Sequence, residues 1–240
     1  MTSGSVSISG AADAGDPSKN IEGEQASSAL RTNQKVLDPI AVSEQKNANA
    51  SLLLADGTRL RGRAFGALQS TSGEVVFCTG MVGYPESLTD PSFAGQIMVM
   101  TYPLIGNYGV PKRAPESGLE HPFESAKIHA KALVVSTLAN DVTHWNADAS
   151  LSSWLKDEGV VGIEGIDTRA LTKKLRDAGS IAGKIVVDED AKAKAMEESE
   201  FEDISKRNLV AEVSCKEPIL HEGGSKRVIL VDCGMKLNIL

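Results

Sequence analysis

The sequence predicts an α/β fold, a domain of mixed strands with two or three helices, and three observations carry that expectation. Short runs rich in Val, Ile and Met recur at EVVFC (74–78), QIMVMT (96–101) and KALVVST (131–137), each of strand length. Between residues 150 and 187 two helical patterns alternate with apolar runs, the spacing of an α/β unit. Near the start, SLLLA (51–55) and TRLRGRAF (58–65) flank Asp56-Gly57, a dipeptide suited to a type I′ hairpin turn. The faces taken by Leu60 and Phe65 are left open.

Taken in order, residues 1–46 contain no aromatic side chain and are dominated by small and polar residues. Such a segment buries too little apolar surface to offset the entropy of ordering it, so a disordered tail is expected. Asp13, Asp16, Glu22 and Glu24 interrupt it, which speaks against a transit peptide, and it lacks the apolar core of a signal peptide. A cytoplasmic protein is the expectation. Ordered structure is expected over 47–188. Ser150 reads as the cap of a helix with Leu151, Trp154 and Leu155 on one side and Gly159 as its stop. Asp167 reads as the cap of TRALTKKLRDA, closed by Gly179. VVGIEGI (160–166) and SIAGKIVV (180–187) complete the alternation as strands. The acidic, Ala/Lys/Glu-rich text after Asp188 opens a charged linker over 189–226. RVILVDCG (227–234) then reads as the first strand of a second α/β domain that is cut off as it begins.

Bulk chemistry excludes several classes. The 240 residues carry a formal charge of −7, which argues against a nucleic-acid partner. No apolar run approaches the roughly 18 residues of a membrane-spanning helix, so no membrane role is expected. Cys78, Cys215 and Cys233 are widely spaced and odd in number, fitting neither a disulfide framework nor a zinc site. GALQSTSG (66–73) lacks the Lys and the strand–helix frame of a phosphate loop. Cys78 reads as a small buried hydrophobe, and His144 has no nucleophile elbow to serve. No catalytic residue, metal ligand or cofactor site is expected in these 240 residues.

One stretch resists a bland account. GYPESLTDPSFAGQ (83–96) is polar and stiffened, yet lies between two core strands. From Thr89-Asp90-Pro91-Ser92 alone, a turn-capping serine is the commoner case, and a hydroxyl held toward a ligand is the alternative. Pro91 fixes its own φ and keeps Asp90 out of the helical region.

VGYPE, LTDPS, TYPLIGNYG and IDTR occur in order within residues 73–185. Together these stretches resemble the small, glutamine-using chain of carbamoyl-phosphate synthetase. The wording is nearest to the multifunctional pyrimidine enzymes of eukaryotes, in which this module precedes the synthetase, aspartate transcarbamylase and dihydroorotase. VILVDCGMKLNIL (228–240) resembles the start of the family's class I glutamine amidotransferase domain, a flavodoxin-like fold. The resemblance implies a ligase. A thiolate releases ammonia from L-glutamine, and a synthetase, as a separate large chain or a fused domain, combines it with bicarbonate using two ATP and magnesium. The family's Cys, His and Glu lie beyond residue 240, so these residues alone should not hydrolyse glutamine. The implied role is to dock the amidotransferase on the synthetase and to complete the glutamine site, with Ser92 as the glutamine-contacting hydroxyl. Duty in pyrimidine synthesis is expected. An arginine-pathway small chain, a non-catalytic adaptor module and, more weakly, a hydrolase using Cys78 are the alternatives.

Overall fold

A computed structural model describes residues 48–112, 123–222 and 225–240. The expected N-terminal tail lies outside the described residues. The described residues open with a hairpin of β1 (Ala48–Leu54) and β2 (Arg59–Gly66), in which Leu52 faces Leu60. Its turn differs from the two-residue form expected. Leu54 N–H donates to the Thr58 carbonyl at 2.9 Å, leaving a three-residue loop with Gly57 at φ 87°. A loop of that length ends on a left-handed residue, which glycine takes without strain.

After the hairpin come β3 (Thr71–Cys78), helix α1 (Tyr84–Thr89) and β4 (Gln96–Met100). Four short pieces frame β7 (Ala132–Val134): β5 (Leu104–Ile105), β6 (Val110–Pro111), β8 (Thr137–Leu138) and β9 (Ala147–Ala149). They pair outside the main sheet, β5 with β8 and β6 with β9. Next follow α2 (Leu151–Asp157), β10 (Val161–Glu164), α3 (Thr168–Ala178) and β11 (Ile181–Val187). Both expected helix caps are present. Ser150 accepts from Ser153 N–H, and Asp167 accepts from Ala170 N–H.

Seven strands close into a barrel in the order β1-β11-β3-β4-β7-β10-β2. β3, β4, β7 and β10 run parallel to one another, whereas β2, β1 and β11 pair antiparallel. This answers the question posed by the polar stretch after β3. Parallel neighbours cannot be joined by a tight turn and need a crossover over the sheet face, and α1 with the following turn is that crossover.

The barrel interior is filled by alternate residues of every strand, among them Leu52, Leu54, Val75, Ile97, Val134, Ile163 and Ile185. Leu171 and Leu175, one turn apart on α3, join the same cluster. Seven strands enclose little space, and small residues make the fit possible. A Cβ on Gly183 would stand 2.4 Å from Val75 Cγ2, and one on Gly62 would stand 2.2 Å from the Glu164 carbonyl oxygen. A second cluster covers the outer face of the parallel half, where α1 and α2 place Tyr84, Leu88, Trp154 and Leu155 against Met98 and Leu133. Leu60 thus packs on the interior and Phe65 on the exterior, which settles the register. Phe65 lies opposite Gly162 on β10.

Beyond β11, where a solvated helix or charged linker is expected, a short helix with no buried residue follows. α4 (Ala193–Glu198) exposes its surface, but its surroundings hold to the barrel. Asp190 accepts from Ser70 N–H at 2.7 Å, and Ser72 Oγ donates to Glu202 at 2.9 Å. Lys184 on β11 is 1% exposed; its ammonium donates to the Ser199 carbonyl and lies 4.4 Å from the Phe201 ring centroid. A single turn, α5 (Leu209–Val213), follows. The strand expected at 227–234 does not form: Val228, Ile229 and Val231 are 87%, 86% and 81% exposed. A strand exists only through its partners, and none stands beside this run among the described residues. The first strand of a flavodoxin-like domain is therefore not part of the described fold.

Candidate functional site

The crossover begins at Gly83, whose φ of 84° turns the chain into α1. Pro85 sits in the first turn, where its missing N–H costs nothing. The helix carries no side-chain cap of its own. Instead the Tyr108 hydroxyl accepts from Gly83 N–H at 2.7 Å and Tyr84 N–H at 3.2 Å. The Tyr84 ring stacks on Tyr108 at 4.3 Å, and its hydroxyl donates to the Gly109 carbonyl at 2.5 Å. Burial pushes the Tyr84 hydroxyl far up in pKa, so it stays a donor. The start of the crossover is locked to the TYPLIGNYG stretch.

Its far end holds Ser92. Thr89 closes α1 by donating to the Pro85 carbonyl at 2.9 Å and accepting from Glu124 N–H at 3.0 Å. Asp90 then caps a 3₁₀ turn over Pro91–Phe93, its carboxylate accepting from Ser92 N–H at 2.9 Å. Ser92 itself is exposed while Pro91 beneath it is buried. The capping role therefore belongs to Asp90, and the serine side chain is left at the surface.

Asp90 also reaches the chain's last residues, through a 2.5 Å ion pair with Lys236. Leu237 N–H donates to the Glu124 carbonyl at 2.8 Å, and Asn238 donates to Glu124 Oε1 at 3.1 Å. Gly234, at φ 101°, lets the chain pass so close that a Cβ there would lie 3.2 Å from Pro91 Cβ. Asp232 bends this turn by accepting from the N–H groups of Cys215, Met235 and Gly234, which holds its carboxyl down at about 2. The Cys233–Lys236 turn is thus seated on the Ser92 turn.

Burial alone would raise Asp90, but Lys236 and Ser92 outweigh it and hold the carboxyl below its ordinary 3.8. A carboxylate depressed in the folded state stabilises above its unfolded value and loses that contribution as pH falls through its folded one. Protection of the Leu237 amide, measured against its intrinsic exchange rate at each pH, should therefore be high at pH 6 and fall as the pH drops below about 4. Asp90→Asn should give low protection at both values, and full protection in that variant would mean the pair does not hold the turn.

Other candidates stay apart. Cys78 is half-buried in β3, while Cys215 and Cys233 are exposed. Asp232 pushes the Cys215 thiol up, the reverse of what a nucleophile needs. His144 presents its ring edge to Tyr108 at 6.2 Å and lies beside Trp145. No group of three metal-ligating side chains occurs among the described residues. No described helix is long and apolar enough to cross a membrane. The Asp90–Lys236 pair escapes sequence reading because its members lie 146 positions apart, and the capping expected of Ser92 falls to Asp90.

Residues 52–185, from β1 to β11, match the model of the carbamoyl-phosphate synthase small chain, CPSase domain. The chain belongs to the carbamoyl-phosphate synthase small-chain family. The family module is thus the barrel with its crossovers, and Ser92 lies inside it. Multifunctional protein CAD of Squalus acanthias is 52% identical over 193 residues, covering 79% of this chain and 8% of that protein. Multifunctional protein pyr1-3 of Dictyostelium discoideum is 49% identical over 201 residues, 78% of this chain and 9% of that protein. The arginine-specific small chain of carbamoyl phosphate synthase from Eremothecium gossypii is 49% identical over 197 residues, 80% of this chain and 48% of that protein. The chain spans less than half the length of each of these relatives.

Proposed function

We propose that this small-chain domain serves a glutamine-dependent carbamoyl-phosphate synthase of pyrimidine synthesis, working in the cytoplasm. It docks an amidotransferase on its synthetase and completes the glutamine site through Ser92. One observation carries the reading: an exposed hydroxyl on a turn fixed by Pro91 and Asp90, inside the span that matches the family. A serine hydroxyl both donates and accepts, so it suits the ammonium and carboxylate of an amino acid. Pyrimidine duty is supported by the multifunctional relatives. A second reading, an arginine-pathway small chain, is favoured by the Eremothecium relative, of which this chain spans much more.

On this reading the domain binds and orients while others react. The cysteine that attacks the glutamine amide belongs to the amidotransferase domain, and ATP and magnesium belong to the synthetase. An adaptor without catalytic partners would show no transfer at all. The full-length protein given glutamine labelled at its amide nitrogen should place that label in carbamoyl phosphate. Label released only as free ammonia would overturn the coupling role. Residues 1–240 alone should form no glutamate above buffer, because among the described residues no thiol stands on a strand-to-helix elbow beside a base. Turnover abolished by Cys78→Ala would reverse that assignment.

A further inference from the structure

Where β3, β4, β7 and β10 begin, at one end of the barrel, there is a cavity of about 290 Å3. Thr71, Gly95, Lys131 and Val160 mark the four strand starts in its wall. All five residues leading into β7, 127–131, line the cavity. Ile128 and Ala130 also belong to the buried outer cluster, whereas Lys127 is exposed and His129 and Lys131 are half-buried. Burial of the two apolar positions in the core leaves the three basic side chains as the less buried ones at this wall.

Neither lysine is held in a salt bridge among the described residues, although both act through space on Glu212 in the same lining. Arg207, which also lines the cavity, is engaged by Glu202 and Glu212. Among the described residues, Lys127 and Lys131 make no ion pair with any carboxylate. The chain as a whole is acidic, at −7, so unpaired cations gathered in a concavity are not what its composition would give. We propose that this cavity is a binding site for a small anion bearing two or more charges, phosphoryl or polycarboxylate in kind, held by Lys127, His129 and Lys131.

Two further features fit. Burial and the neighbouring Lys127 hold the half-buried His129 below its ordinary pKa, with only Asp90 opposing them. The ring is thus neutral in the empty site and ready to gain a proton when an anion arrives. Glu212 also lines the cavity, its carboxyl held down first by Arg207 and further by Lys131 and Lys127. It acts as an internal carboxylate that an incoming anion must outcompete. The site is separate from the exposed Ser92 side chain and does not depend on the glutamine reading.

The test is calorimetry on residues 1–240 with inorganic pyrophosphate in one arm and malonate in the other. The tighter arm names the class. Saturable binding with a Kd below about 1 mM is expected, accompanied by an upward shift in the His129 titration midpoint followed by imidazole NMR. Lys127→Gln/Lys131→Gln should weaken binding at least about tenfold, and Glu212→Gln should strengthen it. Lys173→Gln, an exposed lysine on α3, should change nothing. Absence of saturation in both arms, or equal affinity in a folded double variant, would overturn the proposal.

Discussion

Gly162→Ala is expected to lower the melting temperature of the domain by roughly 10 °C. Gly162 faces Phe65 across the β10–β2 ladder, and Phe65 is 2% exposed. A Cβ at residue 162 would come within 2.2 to 2.5 Å of three atoms of the Phe65 ring. No such separation survives, so the ring must leave its rotamer or the strands must part. Overpacking of this kind costs about 3 kcal/mol at the upper end of its usual range, and each kcal/mol is worth about 2–4 °C in a domain of this size. The ring lies in the outer cluster with Trp154 and Leu155, which leaves it little room to yield. Adding Phe65→Leu to Gly162→Ala should recover part of the loss, because the two sites share one contact and are not additive. An unchanged melting temperature in the single variant would mean that Phe65 does not lie over Gly162.

Ser92→Ala in the full-length protein is expected to cost about ten- to a hundredfold in glutamine-dependent synthesis, with the ammonia-dependent rate nearly intact. Losing a hydrogen bond to a charged group amounts to about 1.5–3 kcal/mol. The side chain is exposed, and Asp90 holds the turn through the Ser92 backbone N–H. Removing the hydroxyl therefore leaves the fold standing. If the hydroxyl holds glutamine equally well before and during reaction, the loss falls on KM and spares kcat. Unchanged glutamine kinetics would withdraw the ligand role, and an equal loss with ammonia would point to damaged docking.

Local chemistry in the sequence reached much of this architecture. Ser150 and Asp167 announce their helices because an N-cap is a matter of three or four residues. The strands are legible for the same reason, as apolar runs between turn formers. Closure of the sheet is not legible, since pairing Ala50 with Val187 is a contact between distant segments. Helix α1 is hidden in the sequence because Gly, Pro and hydroxyl residues crowd Gly83–Ser92; its helicity rests on Tyr108 and on burial of Tyr84 and Leu88. The 228–231 run shows the opposite failure: its composition suits a strand, but among the described residues no strand stands beside it. In the turn that carries Ser92, the serine is legible as a candidate only through resemblance, while Lys236 gives no signal. The alternation of Lys127, His129 and Lys131 with Ile128 and Ala130 was visible, but nothing local says that the basic side faces a cavity.

The pairing of β1 with β11 has a consequence for how the domain is made. The first strand cannot find its second neighbour until residues 183–187 have been synthesised. Until then β1 offers one bare ladder edge and β3 offers another, both destined for β11. Exposed strand edges of this kind recruit other chains, and long-range closures are slow compared with local ones. A nascent chain paused before Gly183 would therefore be prone to aggregate, whereas one extended past Val187 can seal its own barrel.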